Sequence, residues 1–125
     1  MSIWTSSFAR AGRLPDAVSI ARGEPRGWQG KKYKLLAPEW SWVKNIKEGF
    51  WSQDEYMEAY YGLLQKLDPE QVIQDLGDGA IMLCWCNAPK DFCHRTMVAK
   101  WLEVEANLIV PEWSEAGQMS FDFAG

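Results

Sequence analysis

The densest set of reactive groups lies between residues 84 and 95, a stretch that holds all three cysteines, the single histidine and Arg95. Asp91-Phe92-Cys93-His94-Arg95 reads as the start of a helix with Asp91 as its N-cap. Free amides and the positive dipole end at such a start attract anions and lower a thiol's pKa, which makes Cys93 a candidate nucleophile. The competing reading is a buried, inert thiol, and adjacent residues on a helix do not face each other, which argues against a direct Cys93–His94 dyad. His94, as the only histidine, carries any general acid-base role; the alternative is a ring bonded to a backbone carbonyl. Arg95 is a cation in a first helical turn and needs a negative partner there, either an Asp or Glu from elsewhere or a ligand phosphate. Cys84, Cys86, Cys93 and His94 also make a set of possible zinc ligands. Their spacing does not match a knuckle, and a strand plus a helix would hold them apart, so no metal or cofactor is expected.

Something must position these groups, and the best candidate is the apolar run at residues 80–86, bounded by Asp78-Gly79 and Asn87-Ala88-Pro89. Its length and continuity predict a fully buried central strand. Residues 2–6 and 17–21 read as two further short strands, with a loop or helical turn at 8–14 between them. A long loop rich in Gly and Pro spans 22–38. Ser52 and Glu55 form a capping box ahead of Tyr56, Tyr60, Leu63, Leu64 and Leu67, which recur at helical spacing until Pro69. A second helical stretch at 69–76 stops at Gly77. Residues 93–105 put Met97, Trp101 and Val104 on one helical stripe, and 107–110 read as a last short strand.

Strands separated by loops and helices predict an α/β fold: a single compact three-layer domain with a mostly parallel short sheet flanked by helices, Rossmann-like. In such sheets ligands bind beyond the C-terminal strand ends. Those ends carry Ser6, then Arg22 and Gly23 with Arg26 nearby, then Cys86 and Asn87. With Arg95 they outline an anion or ligand site, beside the catalytic candidates Cys93 and His94.

The bulk properties narrow the classes. A chain of 125 residues with 47% hydrophobic residues and eight Trp suits one self-folding domain at 1–110, followed by a polar tail at 111–125. No apolar run is long enough for a membrane span, and the N-terminal segment lacks a secretion-signal pattern, so a cytoplasmic protein with no membrane partner is expected. Three cysteines, two of them two residues apart on one strand, predict reduced thiols and not a disulfide framework. The net charge of −4 argues against tight sequence-independent binding of DNA by the domain alone, while the basic first third could still receive a small anion.

The pattern Ile81-Met82-Leu83-Cys84-Trp85-Cys86, then Cys93-His94-Arg95 and Val98-Ala99-Lys100-Trp101-Leu102, resembles the domain-of-unknown-function family 488. The likeness extends to Ile3-Trp4-Thr5-Ser6, Val18-Ser19-Ile20 with Arg22-Gly23, and Leu67-Asp68-Pro69-Glu70. It implies a compact three-layer α/β fold and no settled activity. Cys86 stands where the family's strand ends in Glu, which puts in doubt any mechanism resting on a carboxylate at that place. The tail residues Gln118, Met119, Phe121 and Phe123 resemble the glutamine-led peptides that dock on the bacterial sliding clamp. Three functions follow as expectations: a site for a phosphate-containing small molecule or nucleotide, a DNA-associated accessory protein tethered to the clamp, or a protein-binding module anchored by Trp28 or Trp40. The residues leave open whether any of them is catalytic.

Overall fold

The computed structural model describes residues 2–85 and 94–113. Four strands, β1 (Trp4–Ser7), β2 (Ala17–Ser19), β3 (Lys31–Lys32) and β4 (Ile81–Cys84), form one sheet in the order β1-β4-β2-β3, with every neighbouring pair parallel. The apolar run expected to be central is β4, and all four of its residues are buried. Ser7 lies opposite Cys84 and Ser19 opposite Leu83, so the C-terminal ends of β1, β2 and β4 share one edge.

Side chains alternate across the sheet, as the two-residue repeat of a strand requires. Met82, Val18 and Ile20 belong to the larger core, formed with α3 (Gln53–Gln65), α4 (Pro69–Leu76) and α5 (His94–Ala106) through Tyr60, Leu64, Val72, Val98 and Leu102. Ile81, Leu83 and Ala17 belong to a second cluster with Ala11 of α1 (Phe8–Ala11) and Trp113, and Phe8 and Trp28 pack against it. The capping box forms: Ser52 Oγ accepts from the Glu55 amide at 3.3 Å, and the Glu55 carboxylate accepts from the Ser52 amide at 3.0 Å. α4 opens on Pro69 after the Asp68 cap and closes at Gly77, whose φ of 85° suits a residue without a Cβ.

Four elements depart from the sequence expectation. The long loop holds β3 and a 3-10 turn, Lys34–Leu36, and is followed by α2 (Trp40–Lys47). β3 is two exposed lysines with no apolar pattern, whereas α2 does carry one, with Trp40, Val43 and Ile46 at helical spacing, but on a short stretch with no fully buried residue. Residues 107–110 form no strand. Asn107, at φ 55°, turns the chain out of α5, and pairing comes later, with the Thr5 amide donating to Pro111 at 3.0 Å and the Trp113 amide to Thr5 at 2.7 Å. Trp113, which is 7% exposed, is thereby packed into the core. Among the described residues no helix is long and apolar enough to cross a membrane.

Candidate functional site

Beyond the C-terminal ends of β2 and β4 opens a cleft of about 900 Å³. Arg22, Gly23 and Glu24 line it after β2, Cys84 and Trp85 line it at β4, and His94 lines it from α5. The opposite wall comes from Trp40, Val43, Ile46 and Lys47 of α2, from Trp51, and from Gln53 and Tyr56 of α3. Gly49, at φ 81°, reverses the chain between α2 and α3, so both helices can contribute to one wall. Trp85 is 57% exposed but held: its indole N–H donates to Gly23 O at 2.8 Å, and its ring packs on Phe8 with centroids 5.0 Å apart. Arg22 Nε donates to Pro38 O at 2.8 Å, which fixes the guanidinium at the cleft.

Among the described residues Glu24 is the carboxylate that lines the cleft, and only 11% of its side chain is exposed. Ser19 Oγ donates to its Oε2 at 2.8 Å, and Lys34 Nζ donates to the same oxygen. Lys34 also donates to Ala21 O at 2.8 Å and Arg22 O at 3.1 Å, so its three N–H bonds tie the loop after β2 to itself. Lys32 lies 3.6 Å from the other oxygen, Oε1. Burial by itself would raise the Glu24 pKa, but the hydrogen bonds from Lys34 and Ser19 and the charges of Lys34 and Lys32 outweigh it and hold the carboxyl below its ordinary range.

His94 is buried at the base of α5, and its Nε2 lies 2.8 Å from Ile20 O. A carbonyl only accepts, so Nε2 carries the proton and Nδ1 is the ring's acceptor nitrogen. The ring stands edge-on to Tyr60 at 5.3 Å. Burial drives its pKa down to about 4; the bond to Ile20 opposes this and the Arg95 charge adds to it. The imidazole is neutral at pH 7, so it accepts hydrogen bonds and does not serve as a proton donor from a charged state.

Arg95 is completely buried and pairs with Glu112, its Nη2 at 2.8 Å and Nε at 3.1 Å from Oε1. Nη1 donates to Cys84 Sγ at 3.0 Å, and Thr5 Oγ1 adds a further bond to Glu112. Of the two partners a cation in this turn could take, the protein supplies the carboxylate.

The family model described as the active DUF488-N3 subclade matches residues 6–106. The chain belongs to the DUF488 family. No curated protein and no solved structure matches it.

In this DUF488 member the cleft unites only part of the expected site. Arg22, Gly23 and His94 line it. Ser6 does not, because its hydroxyl is buried and donates to Trp113 O at 2.9 Å. Arg95 is not among the lining residues; it is buried and paired with Glu112, the carboxylate of the two partners expected for it. Arg26 is exposed and not among the lining residues. Cys86, Asn87 and Cys93, and the tail residues Gln118, Met119, Phe121 and Phe123, lie outside the described residues. Cys84 is disulfide-bonded, against the expectation of reduced thiols; an odd count leaves one thiol over but does not forbid a pair. Among the described residues no group of three His, Cys, Asp or Glu could hold a metal ion. The aromatic wall and Glu24 were not anticipated. Glu24 had a signal, an acidic residue two positions past Arg22 in a basic loop at a strand end, whereas Trp40 was named only as a protein-binding anchor, Tyr56 only as part of a helical stripe and Trp51 not at all, since only folding brings α2 and α3 over the sheet edge.

Proposed function

We propose that the cleft binds a nucleotide, with its ring against Trp40, Trp51 and Trp85 and its phosphate at Arg22 and Lys47. The observation that carries this reading is the composition of the cleft: among the described residues, four aromatic side chains and two cations around about 900 Å³ at the C-terminal edge of a parallel sheet. Small-molecule sites have this character, apolar and aromatic walls with a few placed polar groups in volumes of roughly 300 to 1,000 Å³. Aromatic side chains stack on any base, contributing about 1 to 3 kcal/mol each. The net charge of −4 favours a small anionic ligand over a long polyanion. The phosphate role falls to Arg22, whose Nε anchor leaves the fork pre-organised, and not to Arg95.

The test is a thermal-shift panel of AMP, GMP, CMP and UMP on the wild type, Trp40→Ala and Arg22→Ala. At least one nucleotide is expected to raise the melting temperature of the wild type, with most of that rise lost in both variants. No shift with any of the four, or equal shifts in all three proteins, defeats the reading.

A further inference from the structure

Building on the nucleotide reading, we infer that Glu24 is the group that selects the ligand, accepting a hydrogen bond through Oε1 from an N–H or O–H donor on its ring or sugar. The argument is an inventory of acceptor sites. A carboxylate offers about four lone-pair positions over two oxygens. Oε2 is taken by Ser19 and Lys34. Oε1 has only the ion pair with Lys32 at 3.6 Å, beyond hydrogen-bonding distance, and that lysine side chain is 52% exposed. Glu24 lines the cleft with one oxygen saturated and the other still accessible and without a hydrogen bond among the described residues, so Oε1 keeps acceptor positions that a ligand can take up.

The surroundings make it a rigid one. Lys34 spends its three N–H bonds on Glu24, Ala21 O and Arg22 O, so it is a positioning residue that holds the loop and is not a ligand cation. Ser19, at the end of β2, adds a bond to Oε2 and also accepts from the Ala21 amide at 3.3 Å. The carboxylate is thus oriented before any ligand arrives, and it stays ionised because its pKa is held low. Arg22, two residues earlier, places a cation beside it, so one loop presents an anion site and a donor-reading site together.

An exocyclic amine and a sugar hydroxyl are both donors of this kind, and substrate analogues separate them. Calorimetric titration of the wild type with AMP, GMP, CMP and UMP, with their 2′-deoxy and 3′-deoxy forms, with purine riboside monophosphate as the amine-free form of AMP and with IMP as that of GMP, identifies the donor that matters. Removing it is expected to weaken binding about tenfold or more, since the acceptor is charged. In Glu24→Ala the parent nucleotide and the donor-free analogue should bind alike. If that variant fails to fold, Glu24→Gln answers by the same comparison with a reduced ratio. Wild-type binding indifferent to every analogue, or a variant that discriminates as the wild type does, overturns this inference alone. No nucleotide binding by the wild type overturns the underlying reading and this inference with it.

Discussion

Arg95 shows how a residue that looks like ligand chemistry becomes architecture. Its guanidinium is wholly buried, and an isolated charge in such a place costs several kcal/mol, so a carboxylate must come to it. Glu112 does so from beyond the end of α5, with Thr5 orienting it from β1. Removing that partner strands the cation. Glu112→Ala is expected to lower stability by about 3 kcal/mol, the lower end of the range for a broken buried pair because Glu112 remains partly exposed. The double variant Arg95→Met with Glu112→Leu should recover much of the loss. Urea denaturation of both decides it, and an equal loss in the two would mean that charge is not the cause.

At the scale of elements, residues 111–113 act as a clasp on the free edge of β1. Two backbone hydrogen bonds to Thr5, the Ser6 hydroxyl on Trp113 O, the Glu112 pair and the buried Trp113 ring all depend on those three residues. A chain ending at residue 113 should keep them. A chain ending at residue 110 should be less stable by at least about 3 kcal/mol, the usual cost of deleting one buried Trp side chain. Thermal denaturation of the two truncations compares them directly, and equal melting temperatures would show that the clasp contributes nothing. The opposite edge is protected differently, because β3 ends the sheet on two exposed lysines that discourage further pairing.

For the molecule as a whole, the buried imidazole couples stability to pH. His94 titrates near 4 in the folded state against about 6.5 for a solvated ring. Between those values the unfolded chain binds the proton first, so stability is at its full value above about pH 6.5 and falls as the pH drops toward 4, by on the order of 3 kcal/mol. Glu24, also held below its ordinary range, shifts stability in the same direction at lower pH. His94→Gln can keep an N–H for Ile20 O but cannot take up the proton. Its denaturation midpoint should be flatter than that of the wild type across this window, and parallel curves would remove His94 as the source.

The elements that arise from local chemistry were readable without coordinates. The β4 run, the Ser52–Glu55 box, the Pro69 start and the Gly77 stop each depend on neighbours within a few residues, and each appears where its pattern lies. The parallel α/β class followed from their order. What only the tertiary structure decided is which side chains meet: Glu112 with Arg95, Lys34 with Glu24, and the aromatic residues of α2 and α3 with the ends of β2 and β4. Those encounters join segments far apart in the chain, or a loop folded back on itself. Their energies depend on burial and on partner geometry, neither of which is encoded in the local spacing of residues.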